Sequence, residues 1–163
     1  MFFAPIDRGD VMDTLKLYRT TAKFPFGKSI FSFIVCQKVP YFKSIHPKII
    51  ELDVGKSIVE MRERRSVHNH LQTIHAIALC NLCELAMAMT VEATIPSDLR
   101  FIPVAMTVSY KKKAKGTLRA NCSAKISDFQ PGNLDIAVDV FDQSQTNVMS
   151  AVITLNLKPK PIR

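Results

Sequence analysis

The stretch NHLQTIHAIALCNLCELAMAM, residues 69–89, reads as a buried helix that carries one carboxylate, Glu84. From Ile74 to Ala93 the chain is apolar, interrupted by His75, Asn81, Glu84 and Glu92. Polar groups so placed argue against a membrane span, so the run is a core helix. A helix apolar nearly all round cannot rest on a sheet with its outer face wet; something must surround it. Glu84 inside it is costly unless paired, hydrogen-bonded or neutralised, and so needs a partner or a functional reason.

The flanking segments supply the surrounding layer. Upstream, PKIIELDVGKSIVEMRER (47–64) splits at Asp53-Val54-Gly55 into two alternating halves, a hairpin. Downstream of Pro96 and Pro103 the period returns to two, with Met106, Val108 and Tyr110 on one face and Thr107 and Ser109 on the other. Lys115-Gly116 turns the chain, Leu118, Ala120, Cys122, Ala124 and Ile126 share the next face, and Pro131-Gly132 marks a loop. Ile136, Val138 and Val140 then alternate, DQSQTN (142–147) turns the chain, and Met149, Ala151, Ile153, Leu155 and Leu157 alternate back. Two strands, one buried helix and four strands predict an antiparallel sheet curved around the helix. Two short helices are expected ahead of them, near residues 8–20 and 28–36, separated by Pro25 and Gly27.

With 163 residues, 47% hydrophobic and 22% charged, the chain is long enough to bury a core as one globular domain without staples. Residues 1–44 read as a helical extension and 45–163 as the main unit. The start MFFAPIDRGD lacks the basic opening and long apolar core of a secretory signal, and Cys36, Cys80, Cys83 and Cys122 lie among apolar neighbours. Both point to a reduced, cytoplasmic protein. The net charge of +8 predicts an anionic partner: nucleic acid, a membrane surface or a phosphorylated small molecule.

The element order, with Asn69, His75 and Glu84, resembles the hotdog superfamily, particularly acyl-CoA thioesterases of the phenylacetate-pathway type and an uncharacterised branch close to them. In those thioesterases an Asn or Gln lies six residues before a His that opens the central helix, and an Asp or Glu nine residues after it; positions 69, 75 and 84 match both offsets. The resemblance covers residues 45–157. It implies an α+β hotdog domain, assembled as a homodimer or tetramer, that hydrolyses an acyl-CoA thioester with no cofactor beyond the coenzyme A of its substrate. Glu84 would be the base that activates water, Asn69 the orienting amide, and the Ala76 N–H at the helix start, beside His75, the donor to the thioester oxygen. Gln72, Ala76 and Ile77 stand where the family often has glycine, which predicts a narrower or redirected pocket. Eight residues separate Ala76 from Glu84, about 12 Å of helix, so a two-fold partner is expected to bring one chain's helix start to the other's carboxylate. A non-catalytic acyl-CoA binder or sensor on the same fold is the alternative.

Each residue also has a plainer reading. Glu84 could be a structural carboxylate satisfied by a neighbouring helix or a water, His75 could only cap the helix, and Asn69 could only shape a turn. Cys80 and Cys83 form a mid-helix C-x-x-C with no second pair, which reads as buried structure. His68, His70 and His75 follow no metal-ligand spacing and read as solvated loop residues. Lys111, Lys112, Lys113 and Lys115 either protect a strand edge or bind the phosphates of coenzyme A; Arg62, Arg64 and Arg65 are rivals for the second role. Neither cluster is interleaved with aromatics as a nucleic-acid platform would be. The aromatic segment 24–42 is too short and too broken to span a bilayer, and is expected to cover the acyl end of the pocket or, failing that, to rest on a membrane surface.

Overall fold

The hairpin before the helix forms as its sequence dictates, β1 (Lys48–Asp53) turning into β2 (Lys56–Arg62) at Gly55. In this computed structural model, which describes residues 10–161, Gly55 adopts φ 76°, and a Cβ there would sit 2.7 Å from the Ala124 carbonyl oxygen. Glycine is therefore required on conformational and steric grounds.

The core helix α3 (Ala76–Glu92) follows, and then β3 (Leu99–Tyr110), β4 (Thr117–Ser123), β5 (Gly132–Phe141) and β6 (Asn147–Pro159). The six strands make one curved antiparallel sheet in the order β1-β2-β4-β5-β6-β3, with β3 returning from α3 to pair β6 at the far edge. Leu82, Cys83, Leu85, Ala86 and Met87 of α3 are completely buried, against Val59, Met61, Leu118, Val140 and Met149 of the inner sheet face. Burying each such large side chain contributes about 1.5–3 kcal/mol. Two hydroxyls in this layer are matched: Ser57 Oγ donates to the Ala86 carbonyl (2.7 Å) and Thr90 Oγ1 to Ser57 Oγ (2.9 Å).

Helices α1 (Asp10–Thr21) and α2 (Gly27–Lys38) precede the sheet and lie along β1. Tyr18 and Lys28 both donate to the Ile50 carbonyl (2.8 and 2.7 Å), Ile49 N–H donates to Ser32 Oγ (2.8 Å), and Arg19 pairs with Asp53 (2.6 Å). These bonds blunt the β1 edge. Tyr18, Phe31, Val35, Cys36 and Phe42 join the same core as the sheet and α3. The outer side of β3, the other edge, is paired by no strand among the described residues.

Four details differ from expectation. Helix α2 runs two residues past Cys36, while Arg8 and Gly9 of the first expected helix, and the MFFAPIDRG start, lie outside the described residues. Strand β4 stops at Ser123, so Ala124 and Ile126 leave its face, and Ile126 is exposed in a 3-10 turn (Ile126–Asp128). Gly132 opens β5 rather than a loop. The sheet also does not enclose α3 by itself. It covers one side, and a 3-10 turn at Pro40–Ile45 covers another. Along the remaining line, Ile77, Cys80, Glu84 and Ala88 stay partly or wholly exposed.

Candidate active site at the start of the core helix

The loop that delivers the chain into α3 is held by Asn69. Its Oδ1 accepts from Leu71 N–H (2.9 Å) and Thr73 N–H (3.2 Å), its Nδ2 donates to Thr73 Oγ1 (2.9 Å), and its own N–H donates to the Thr73 carbonyl (2.9 Å). This is an Asx-type turn, the plainer of the two roles open to the residue. Gln72 within it has φ 55°, the left-handed region that favours glycine. This chain makes the turn with a side chain in the region that suits the glycine often found at this place in the resembled family.

His75 caps the helix: its Nδ1 accepts from the Ile77 N–H (3.1 Å), and its own N–H donates to the Val67 carbonyl (2.8 Å). The capping histidine thus engages the second N–H of the helix. The Ala76 N–H, directly before it, has no acceptor among the described residues. It is one of the orphan donors at a helix start, where the helix dipole also favours negative charge.

Glu84 lies two turns further on. It is partly buried and makes no hydrogen bond or ion pair with any described residue, and burial raises its carboxyl above the usual carboxylate range. It shares the uncovered line of α3 with Cys80, whose Sγ is 3.3 Å from the Tyr110 hydroxyl of β3. That contact, followed by burial, pushes the Tyr110 pKa up to about 12, so the phenol stays protonated. Only half of the C-x-x-C reads as expected: Cys83 is fully buried and its thiol pushed up strongly, whereas Cys80 is half-buried at the surface.

Both basic segments reach this end of the molecule. Glu63 joins them: its N–H donates to the Gly116 carbonyl (2.9 Å), and its carboxylate accepts from Gly116 N–H and pairs with His68 Nε2 (2.8 Å). The Gly116 hydrogen bond is the largest of the effects that hold the Glu63 carboxyl below its ordinary range. Ile74 N–H donates to the Ala114 carbonyl (2.9 Å), laying the lysine run beside the entry to α3. Lys111 is tied to Ser150 Oγ (2.5 Å), while Lys112, Lys113 and Arg65 are exposed. Arg64 donates to the Ser44 carbonyl (2.9 Å) and Ser66 Oγ (2.7 Å). His68 is therefore a paired, half-buried residue and not a solvated one. Among the described residues no three His, Cys, Asp or Glu side chains converge as a metal site.

Beside the helix start a cleft of about 190 Å³ opens between α3 and the Pro40–Ile45 turn, with Tyr41, Ser44, Ser66, His75, Ile77 and Asn81 on its walls. The turn thus reaches the cleft, but Phe24, Phe26, Ile30 and Phe33 of the same aromatic segment face outward. Asn81 was legible only as an interruption of the apolar run; its place in the cleft follows from the 3-10 turn, which carries no motif. Ala76 and Glu84 do not meet within one chain.

A central helix held by a curved six-stranded antiparallel sheet defines a hotdog fold. The chain belongs to the family described as Domain of unknown function (DUF4442), whose model matches residues 27–157. Among solved structures, a structural-genomics crystal structure is 36% identical, with a TM-score of 0.81, covering 91% of this chain and 99% of that one. The PaaI protein of the Escherichia coli phenylacetic acid degradation operon is 18% identical, with a TM-score of 0.67, covering 83% of this chain and 97% of that one. A hypothetical thioesterase protein from Streptococcus pneumoniae, solved with coenzyme A, is 19% identical, with a TM-score of 0.59, covering 71% of this chain and 91% of that one. Among curated proteins none matches this sequence.

Proposed function

We propose that this protein hydrolyses acyl-CoA thioesters as a two-fold dimer in the cytoplasm. The observation that carries the reading is Glu84: a partly buried carboxylate without a partner among the described residues, on a line of α3 that the other described residues leave open. Its raised pKa makes it a better base than an ordinary carboxylate. In the reaction Glu84 of one protomer takes a proton from water as the water oxygen attacks the thioester carbonyl. The oxyanion that forms is held by the Ala76 N–H at the helix start of the partner. Collapse of the tetrahedral intermediate breaks the C–S bond, and the departing thiolate takes up the proton, giving free acid and coenzyme A.

The dimer is supported by two features of the chain. The 12-residue strand β3 carries exposed Ile102 and Val104, its outer side is paired by no strand among the described residues, and it borders the open line of α3 through Tyr110 and Cys80. The exposed Lys112, Lys113 and Arg65 beside the helix start suit the phosphates of coenzyme A, the ligand of the Streptococcus pneumoniae neighbour. The test is turnover of an acyl-CoA series by wild type and Glu84→Gln; full activity in the variant would end the mechanism.

One observation favours the second reading, an acyl-CoA binder without turnover. The Asn69 amide is engaged within its own turn, which leaves it less free to orient water than the resemblance implies. A binder would show affinity for acyl-CoA and no hydrolysis in either protein.

A further inference from the structure

Asn81 is only 5% exposed in α3, one turn before Glu84, and lines the cleft at the helix start. Its amide orientation is fixed by its neighbours. Ser44 Oγ donates its hydrogen to the Tyr41 carbonyl (2.7 Å), so towards Asn81 it can only accept, and Asn81 Nδ2 donates to it at 3.0 Å. The Tyr41 carbonyl faces the same Nδ2 at 3.4 Å. Flipping the amide would turn its oxygen towards two acceptors. Asn81 Oδ1 is consequently a buried acceptor, and it has no donor among the described residues. An unmatched buried acceptor costs free energy that a donor brought by a ligand would recover.

The cleft around it is small, and its walls are mixed, with Ile45, Val67 and Ile77 beside the polar groups. At about 190 Å³ it falls below the roughly 300–1,000 Å³ of sites for drug-sized ligands, and Ser44, Ser66, His75 and Asn81 are among its walls. Such a place suits the end of a short acyl group that carries a hydrogen-bond donor, and penalises a plain hydrocarbon, which would leave Oδ1 unmatched. Resting on the reading of the site as one for acyl thioesters, we propose that Asn81 Oδ1 is the specificity element for acyl groups bearing a hydroxyl or amino group at their far end. Asn81 lies five residues beyond Ala76, about 7.5 Å along the helix. An extended chain gains roughly 1.2 Å per bond, by analogy with the ~3.6 Å per three-bond residue of extended backbone, so a donor about six bonds from the thioester carbon spans that distance.

The test compares 6-hydroxyhexanoyl-CoA with heptanoyl-CoA, which differ by a hydroxyl in place of a methyl. Wild type is expected to favour the hydroxyl substrate in kcat/KM by about tenfold or more. Asn81→Leu is expected to abolish or reverse the ratio, whereas Asn81→Asp, which keeps an acceptor, retains a preference for the hydroxyl. Non-hydrolysable thioether analogues of the same pair, followed by calorimetry, separate this inference from the catalytic reading. Tighter binding of the hydroxyl analogue without any turnover of the thioesters would sustain Asn81 and overturn the hydrolase. Hydrolysis with equal kcat/KM for the pair would sustain the hydrolase and overturn Asn81, as would a donor common to every coenzyme A thioester, such as a pantetheine amide. Binding of neither analogue would overturn both, and the wild-type ratio decides even if a variant fails to fold.

Discussion

A site split between two chains gives a quantitative expectation for mixed subunits. Glu84 of one protomer and the loop–helix start held by Asn69 of the other should form each site, because about 12 Å of helix separates the two within a chain. Glu84→Gln removes the base and should cost about 10²-fold or more, which is about 2.7 kcal/mol of transition-state stabilisation. Asn69→Ala removes the acceptor that holds Leu71 and Thr73 N–H groups, and so loosens the entry to α3. In a heterodimer of the two variants one site carries both lesions and the other neither. Random mixing makes half the dimers heterodimers, so activity should recover to about one quarter of wild type. The assay is release of coenzyme A thiol after co-refolding, with heterodimers counted by native mass spectrometry. Heterodimers formed without recovered activity would refute the shared site.

The pH behaviour of Glu84 follows from the same burial. Its folded pKa is raised, so the acid limb of kcat/KM should lie above the ordinary carboxylate range and vanish in Glu84→Gln; a pH-rate profile checks it. A raised folded pKa contributes stability below the unfolded pKa that is lost as pH rises through the folded one, so Glu84→Gln should be at least as stable as wild type at pH 7 and gain nothing at pH 3, by thermal melts. Lys112 and Lys113 changed together to Ala should raise KM for acyl-CoA severalfold while leaving acyl-pantetheine substrates, which lack the nucleotide phosphates, nearly unchanged. Gln72→Gly should leave stability within about 1 kcal/mol of wild type or raise it by that amount, since relief at φ 55° offsets the extra freedom of glycine in the unfolded chain; a denaturant titration measures it.

The order of elements was legible because each obeys a period: two for the strands, and for α3 an apolar run too continuous for a surface helix. Glu84 stood out for the same reason, since a carboxylate in such a run has no local way to be satisfied. Its companions at 69 and 75 were found through the family resemblance. What those two do locally became visible only in three dimensions, because an Asx turn and a helix cap depend on backbone angles that residue types permit but do not specify. Where β4 ends was not readable either: Ala124 and Ile126 continue the alternation, but Ala124 N–H leaves the ladder to bond the Gly55 carbonyl. Asn81 marks the limit most sharply. Sequence showed a polar residue in an apolar helix; only the 3-10 turn brought across from residues 40–45 takes its Nδ2 and leaves its Oδ1 unmatched, because pairing across such a separation is decided by packing and not by neighbours in the chain.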